Sequence, residues 1–447
     1  MTIEEIKALV NEKKYQELRS TLISLNEADT AAVLEELPKE WQIALFRLLP
    51  KDQAADVFSF LPTDIEQEII TSLSDSEATE IIDNMMADDA ADLMEEMPAI
   101  VVKRLLANTT ADTRRSINHL LKFPEDSAGS IMTVEFVDLK ENLTVAQSIE
   151  RIRDIGLDKE TVNNCFVLDP ARRLVGMVTL RSLILTSPDD VIKDIMEENV
   201  ISVDTLTDQE EVARMMSKYD FNSLPVVDSE ARLVGIITID DVVDIITEEA
   251  TEDIQKMAGI MPTETPYLKT SSFKLWRKRI LWLLLLMISA TFTGGIITHF
   301  ESALSAFIIL TAYIPMLMDT GGNTGSQTST MIIRALSLNE VDFSDIPKIW
   351  GKEVVTALLC GLSLAGANFI KMIFFDHLDV QVAAVICLTL MVTVLAADFV
   401  GCTLPILATK AGLDPTVMAA PIMTTIIDAL SLLIYFQIAT HLLHIAM

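Results

Sequence analysis

Cysteine is scarce in this sequence, with four residues among 447. They are Cys165, Cys360, Cys387 and Cys402. No two have CxxC spacing and three lie in apolar stretches, so neither a disulfide framework nor a zinc site is expected. The first ten residues, MTIEEIKALV, lack the basic and apolar regions of a secretory signal peptide. The polar part of the chain is therefore expected to stay in the cytosol.

Basic residues are also few, since 34 Lys+Arg accompany 65 Asp+Glu and the net charge is -31. Nucleic-acid-binding proteins carry basic surfaces, so that class is excluded. The charge is uneven, because residues 276–447 hold only 11 acidic and 8 basic residues. An acidic half that attracts cations is thus joined to a nearly neutral half. Acidity that serves solubility alone is the alternative.

Long apolar runs fill the second half of the chain. Residues 280–298 contain no charge, and a run of that length crosses a hydrocarbon core of ~30 Å. Four further runs lie at residues 303–333, 354–375, 382–409 and 417–443. The sequence therefore predicts a transmembrane domain of five helices over residues 276–447.

The loops between these runs differ in charge, which predicts their side of the membrane. With the N-terminus inside, the inner loops hold cations and the outer loops hold acids, apart from Lys371 near the outer end of the third span. The cations are Arg334, Lys348, Lys352 and Lys410, and the acids are Glu301, Asp376 and Asp379. The N-terminal domains are thus expected to be cytosolic and the C-terminus to lie outside a bacterial-type inner (plasma) membrane.

Three carboxylates lie within the predicted spans: Asp319, Asp398 and Asp428. An ionised group facing lipid is costly, so each should face the bundle interior or water. No Lys or Arg lies in the middle of a span to neutralise them. This pattern favours a cation pathway, and hydrogen bonding between packed helices is the alternative.

The second span contains Pro315 and the glycine-rich segment GGNTGSQ at 321–327. Proline and glycine disfavour helix, so the sequence predicts a broken helix, as is found at ion sites inside membranes. The polar residues Asn323, Ser326 and Gln327 favour a pathway over a simple kink.

Asp414 and Pro415 stand at the cytosolic start of the fifth span, which contains Pro421, Thr424 and Asp428. The last three share one helix face, and the missing N–H of the proline is expected to free a carbonyl of the preceding turn. Carbonyl, hydroxyl and carboxylate oxygens suit Mg²⁺ or Ca²⁺ better than Zn²⁺ or Cu²⁺.

The acidic half begins with a twelve-residue period. Leu37, Leu49, Leu61, Leu73, Met85 and Met97 fall in register, and proline follows four of them. The short amphipathic segments between them are too short to be stable alone, so the period predicts an all-α superhelical N-domain over residues 1–127. The run Asp88, Asp89, Asp92, Glu95, Glu96 is either a solvated face or a divalent cation site.

A second repeat occupies residues 128–246, where 165–184 aligns with 224–243 at an offset of 59. Each copy reads helix, strand, strand, helix and resembles one half of a tandem CBS pair, an α/β domain. The resemblance implies a regulatory ligand such as ATP, with Thr238 and Asp241 in the nucleotide signature. The first copy has Ser182 in place of that aspartate, so nucleotide binding is left open.

Acidic residues continue past this repeat into a segment at 247–275, which is predicted to be a connecting helix to the first span. Many are three or four residues apart and share helix faces, where like charges repel unless a cation lies between them. They are Asp240, Asp241, Asp244, Glu248, Glu249, Glu252 and Asp253.

Taken in order, ATEDI (250–254), GGNTGSQ (321–327), IIRAL (332–336) and the Asp414-Pro415, Pro421, Asp428 string resemble the MgtE family of magnesium channels. The resemblance implies a homodimer with a pore lined by the second and fifth spans. The pore residues are then Asp428, Thr424, Pro421, Asn323, Gly325, Gln327 and Asp414. Besides the pore site at Asp428, the implied cytosolic Mg²⁺ ligands are Asp56, Asp88, Asp92, Asp208, Asp220, Asp241, Asp244, Glu249, Glu252 and Asp253.

The sequence thus predicts a Mg²⁺ channel, not an enzyme, that closes when cytosolic Mg²⁺ binds the acidic domains. Its expected partners are a second copy, the lipid membrane and divalent cations. A CBS-regulated transporter of Mn²⁺, Co²⁺ or a small solute is the alternative. The five histidines show no HExxH spacing, so an intramembrane protease is not expected.

Overall fold

The computed structural model describes residues 14–263, 267–301, 307–418 and 420–444, with the single residues 6, 9, 12 and 305. The chain divides into two compact units, Met1–Ile246 and Thr247–Met447. Each has its own hydrophobic core. The predicted classes are confirmed: an all-α segment and an α/β segment form the first unit, and a helical bundle forms most of the second.

Short helices begin every twelve residues in the all-α segment, at residues 39, 51, 63, 75, 87, 99 and 111. Prolines 38, 50, 62 and 98 directly precede four of them, and the register leucines and methionines are buried. Helices pack mainly against their next-but-one neighbours, which stabilises elements too short to form alone. The helices are α1 Tyr15–Ser24, α2 Glu27–Glu35, α3 Lys39–Phe46, α4 Lys51–Ser59, α5 Thr63–Ser72, α6 Asp75–Asn84, α7 Ala87–Glu96, α8 Ala99–Asn108 and α9 Ala111–Leu120.

The α/β segment contains two three-stranded sheets that repeat one topology. In each, the first strand pairs parallel with the second, and the second pairs antiparallel with the third through a hairpin. The strands are β1 Val137–Lys140, β2 Asn164–Leu168, β3 Leu174–Thr179, β4 Val203–Asp204, β5 Ser223–Val227 and β6 Leu233–Thr238. The helices are α10 Val145–Ile155, α11 Leu180–Leu185, α12 Ile192–Ile195 and α13 Gln209–Tyr219.

The helix α14, Ile239–Met257, contains the boundary between the two units. Its first turn carries Asp240 and Asp241. The chain then turns at Gly259, whose φ of +67° lies in the left-handed region that glycine adopts without strain. The predicted connecting segment 247–275 therefore includes the second half of α14 and a loop, of which residues 264–266 lie outside the described residues.

Five long helices form the bundle of the second unit over its described ranges. Four of them, α15, α17, α18 and α19, are long and apolar enough to cross a membrane. The fifth, α16, is 24 residues long and packs against α18 and α19. The first residues of the predicted second span, 303, 304 and 306, lie outside the described residues. The helices are α15 Ser272–His299, α16 Ile314–Ser337, α17 Ile346–Phe374, α18 Val380–Lys410 and α19 Ala420–Leu442.

The glycine-rich segment of the second span does not break the helix, so that prediction was wrong. α16 is continuous through residues 321–327, and Pro315 lies in its first turn, where proline is tolerated. The glycines instead permit close packing. A Cβ on Gly325 would lie 3.2 Å from the backbone oxygen of Ala397, and one on Gly401 would lie 2.6 Å from the backbone oxygen of Gly325. In an apolar bundle, such small residues let helix backbones approach.

Candidate ion pathway and cation-binding sites

Two predicted intramembrane carboxylates lie on adjacent helices. Asp428 is on α19 and Asp319 on α16. The helices are in contact there, since a Cβ on Gly322 would lie 3.2 Å from Cγ2 of Thr424. The negative charge of Asp319 acts on Asp428. Two like charges in an apolar bundle are costly unless water or a cation lies between them, so this pair is a candidate cation site.

A polar face runs along α16 beside this pair. Asp319, Asn323 and Gln327 are four residues apart, so they share one helix face, and all three are exposed in the single chain. Gly325 lies elsewhere on the helix, is buried and would meet Ile427 if it carried a Cβ. Of the predicted pore residues on α16, the structure thus brings Asn323 and Gln327 together with Asp319, and it places Gly325 in the packing between helices.

Pro421 and Thr424 lie in the first turns of α19. Since the helix begins at Ala420, the missing N–H of Pro421 falls where helices leave N–H groups unpaired in any case. The expected release of a carbonyl by this proline is therefore wrong. The carbonyl oxygen of Pro421 instead accepts hydrogen bonds from the hydroxyls of Thr424, at 3.1 Å, and Thr425, at 3.0 Å.

Asp398 has a different environment from Asp428. It is 3% exposed and accepts a hydrogen bond of 2.5 Å from the hydroxyl of Thr328 on α16. The contact lies beside the close approach of Gly325 and Gly401. This arrangement matches the packing alternative, in which a carboxylate links two helices.

Asp414 precedes α19 and is bound from two sides. Its carboxylate accepts hydrogen bonds from the backbone N–H of Thr416, at 2.8 Å, and from the Thr416 hydroxyl, at 2.5 Å. The ammonium of Lys256, in the last turn of α14, lies 2.9 Å from Asp414 and 2.9 Å from Glu252. Burial raises the pKa of Asp414, but the bonds from Thr416 and Lys256 outweigh it and leave the pKa below its ordinary value. The Lys256 ammonium therefore bridges the carboxylates of Asp414 and Glu252 within the second unit.

The first unit contains a second group of carboxylates, drawn from segments far apart in the sequence. Asp88 and Asp89 lie at the start of α7, Asp240 and Asp241 at the start of α14. Their charges act on one another and on two further residues, Glu135 and Glu160. We call these six residues the acidic cluster. Sequence reasoning missed Glu135 and Glu160, because neither belongs to an acidic run of the sequence and only the fold brings them to the others.

The electrostatics of the acidic cluster disfavour its ionised form. Burial, followed by the neighbouring carboxylates, raises the pKa of Asp88 well above its ordinary value. Burial likewise raises the pKa of Glu160 to about 7. The pKa of Asp241 rises to about 6 from the same cause, although the Thr238 hydroxyl donates a 2.7 Å bond to it. A bound cation would relieve this repulsion.

One atom of the acidic cluster points to a ligand. Oδ1 of Asp88 is buried and makes no hydrogen bond among the described residues, and a buried oxygen without a partner is costly. No three Asp, Glu, His or Cys side chains in the described ranges are close enough to hold a metal ion directly. Mg²⁺ fits this arrangement, because it retains several waters and is held by one or two carboxylates.

The other predicted cytosolic ligands are more scattered. The charge of Asp56 acts on Asp89, and that of Asp244 on Asp241. Asp208 caps α13 by accepting a bond of 2.9 Å from the N–H of Glu210, and Asp220 ends the same helix. These two have structural roles. The charge of Asp92 acts on Glu66, and burial raises the pKa of Glu66 to about 8. The remaining three predicted ligands, Glu249, Glu252 and Asp253, lie on α14 in the second unit.

A cavity of about 690 Å³ lies at the first copy of the repeat. Its lining includes Asn164, Thr179, Arg181 and Asn222. Thr179 occupies the position that Thr238 holds in the second copy, 59 residues later. Asp241 belongs to the acidic cluster, which repels phosphate, and Thr238 donates a hydrogen bond to Asp241. The cavity is therefore the better nucleotide candidate of the two.

Profiles of three families match the chain. The MgtE family, described as a divalent cation transporter, matches residues 314–438, and the MgtE intracellular N domain matches residues 25–126. The CBS domain matches residues 128–188 and 192–248. Together they match most of the first unit and, in the second unit, residues 314–438, which include the polar face of α16.

Two similar proteins and one similar solved structure also carry the name MgtE. The magnesium transporter MgtE of Thermus thermophilus is 40% identical over 331 residues, 74% of this chain and 73% of that protein. The Bacillus subtilis magnesium transporter MgtE is 34% identical over 339 residues, 76% of this chain and 74% of that protein. The crystal structure of the cytosolic domain of the Mg²⁺ channel MgtE in complex with ATP is 37% identical, with a TM-score of 0.53, and covers 55% of this chain and 100% of that chain.

Proposed function

Because the chain belongs to the MgtE family, we propose that it is a Mg²⁺ channel of the inner membrane whose acidic cytosolic domains close it when Mg²⁺ is abundant. Mg²⁺ is the substrate and also the regulatory ligand. An inward-moving dication gains about 4.6 kcal/mol per 100 mV of membrane potential, so import needs no ATP hydrolysis. Mn²⁺ and Co²⁺ use the same oxygen chemistry and are the competing substrates.

The observation that carries the proposal is the exposed polar face of α16 beside Asp428. A carboxylate, an amide and a second amide in one stripe, Asp319, Asn323 and Gln327, are costly against lipid. The cost disappears if a second copy of the chain faces the stripe across water. In such a homodimer, Asp428 from both copies would hold a hydrated Mg²⁺ through its waters, since this ion gives them up reluctantly.

The proposed orientation places the first unit in the cytosol and the C-terminus outside. The inner loops then carry Arg334, Lys348, Lys352 and Lys410, in agreement with the positive-inside rule. The acidic cluster then lies on the cytosolic side, which the ion reaches after crossing the membrane. A sensor of intracellular Mg²⁺ must lie on that side.

Gating would start at the acidic cluster. Without Mg²⁺, repulsion between α7 and the start of α14 disfavours their approach, and a buried oxygen of Asp88 finds no hydrogen-bond partner in the part of the chain that the structure describes. Bound Mg²⁺ favours the compact arrangement, and α14 continues from this site into the second unit. A change from 1:99 to 99:1 requires about 5.5 kcal/mol of differential binding, which several carboxylate sites acting together can supply.

A nucleotide is proposed as a second regulatory ligand. The relative of known structure has ATP bound, and the cavity at Arg181 offers a cation for a phosphate and polar groups for a base. Loss of ATP binding in Arg181→Ala, measured calorimetrically, would support this cavity over the Thr238 and Asp241 site.

Single-channel recording in a planar bilayer tests the proposal. Asp428→Asn should reduce Mg²⁺ current at least tenfold, whereas the chemically matched Asp398→Asn should conduct, because an amide can still accept the Thr328 bond. Raising cytosolic Mg²⁺ should close the wild-type channel, and Asp88→Asn should need more Mg²⁺ to close. Unchanged current in Asp428→Asn, or a preference for chloride, would refute the assignment.

A further inference from the structure

The charged residues that line a second cavity in the first unit are mostly basic, whereas the chain as a whole is acidic. It measures about 450 Å³ and lies between α9 and the two hairpins of the repeat. Its floor is apolar, with Phe136 and Leu233 among the lining residues. Its charged and titratable lining residues are Arg115, His119, Lys122, Arg172, Arg232 and Asp228. We call this site the basic pocket.

The two hairpins are fixed side by side by backbone hydrogen bonds. The N–H of Leu233 donates to the carbonyl of Arg172 at 3.1 Å, and the N–H of Leu174 donates to the carbonyl of Ala231 at 3.1 Å. Arg172 and Arg232, near the tips of the two hairpins, are therefore held close together by the fold. Such pre-organisation is what anion sites use to lower the cost of binding.

The wall formed by α9 is fixed to the same domain. Just after this helix, the N–H of Ala128 donates to the carbonyl of Thr207 at 2.7 Å, and the N–H of Gln209 donates to the carbonyl of Asp126 at 2.9 Å. A Cβ on Gly129 would lie 2.4 Å from the ring of Phe123, which in turn contacts His119 edge to face. His119 and Lys122 are thus presented to the hairpins by a short, anchored segment.

The charges of the basic pocket are only partly neutralised. Arg115 pairs with Asp112 at 3.0 Å, and Arg232 lies beside Asp228 and Glu230. Oδ1 of Asp228 already accepts two backbone N–H groups of its own turn. Among the described residues, no carboxylate lies within ion-pair distance of Lys122 or Arg172. Four cations and one carboxylate therefore line a cavity in a chain in which acids outnumber bases almost two to one.

We propose that the basic pocket binds a small phosphate-class anion with at least two negative charges. Arginine matches phosphate because its planar donors engage two oxygens at once, and lysine adds a point charge. The volume suits a small molecule rather than a peptide segment. An anion held there would contact both α9 and the hairpins, so it would strengthen the attachment of the helical segment to the CBS pair.

This site is separate from the cavity at Arg181, with which it shares no lining residue. It is also separate from the acidic cluster, which attracts ions of the opposite sign. The phosphate groups could come from a free polyphosphate or from a nucleoside triphosphate, and these two sources share the chemistry that the pocket recognises.

Isothermal titration of the full chain in detergent tests the proposal, with pyrophosphate as the probe in Mg²⁺-free buffer. The variant Lys122→Ala/Arg172→Ala should bind pyrophosphate at least tenfold more weakly than the wild type. The control Lys140→Ala/Arg153→Ala removes the same two residue types from exposed positions of the same domain and should change binding by less than twofold. Unchanged thermal midpoints would show that both variants are folded.

Two outcomes would overturn the proposal: no pyrophosphate binding by the wild type at millimolar concentration, or equal weakening in both double variants. ATP is then titrated in an Arg181→Ala background. Binding that depends on Lys122 and Arg172 makes a nucleoside triphosphate a ligand of the pocket. Binding of pyrophosphate without ATP assigns the pocket to a free polyphosphate.

Discussion

Replacing Asp241 by Asn should stabilise the first unit in Mg²⁺-free buffer at pH 7.5. Burial and neighbouring carboxylates raise the pKa of this residue from 3.8 to about 6, a difference that corresponds to about 3 kcal/mol of unfavourable free energy in the ionised form. The amide removes that charge and can still accept the bond from Thr238. We therefore expect the free energy of unfolding to rise by roughly 2–3 kcal/mol.

The sign of the pH dependence follows from the same shift. Between about pH 4 and 6 the folded state binds more protons than the unfolded state, so wild-type stability falls as the pH rises through this window. Above it the full penalty is present. Below about pH 4 the carboxyl is protonated in both states, so the advantage of Asp241→Asn should disappear there.

Urea unfolding of the full chain in detergent measures this difference. Trp41 is the one tryptophan of the first unit, so its fluorescence reports that unit when the other three are changed to Phe. These are Trp276, Trp282 and Trp350. The control Asp189→Asn changes an exposed carboxyl of the same unit and should have little effect. A gain in Asp241→Asn that is equally large at pH 4 and pH 7.5, or no gain at either, would refute the electrostatic account of the acidic cluster.

Two further predictions concern the second unit, and both are measured as thermal midpoints in detergent. Lys256→Met should lower stability by about 1–2 kcal/mol at neutral pH, because it leaves the partly buried carboxylate of Asp414 without its cation; an unchanged midpoint would mean that this ion pair is dispensable. Gly401→Ala should cost about 1–3 kcal/mol, since the added methyl would meet the backbone oxygen of Gly325 at 2.6 Å. Gly366→Ala, where nothing lies within 4 Å, is the matched control and should be neutral or stabilising; an equal loss in both variants would contradict the packing argument.

The sequence predicts regular features of this fold well because periodicity reports local structure. The twelve-residue period places helix starts at residues 39, 51 and 63 as observed, and the offset of 59 identifies two sheets of equal topology. The glycine segment misleads because propensity describes a helix in water. Inside the bundle, α18 and α19 pack on Gly321 and Gly325, and the backbone has no water with which to exchange its hydrogen bonds.

The candidate sites were less accessible from sequence. Asp428, Asp319 and Asp88 were identifiable because each is a carboxylate in an unusual context, a span or an acidic run. Glu135 and Glu160 have no such context, and neither do Arg172 and Lys122. Their significance comes from long-range packing, which places residues from distant segments around one cavity or cluster.

The stacked short helices have a consequence for how the length of the first unit can vary. Lys39 pairs with Glu68, Lys51 pairs with Glu80, and Gln67 donates to the carbonyl of Glu96, each across 29 residues. Because the helix starts recur every twelve residues, removing or inserting one block of twelve keeps the remaining helices in register with the repeat. A block of six would instead shift all later apolar positions by half a repeat, out of register with the earlier ones. Natural variation in the length of this helical segment is thus expected in multiples of twelve residues.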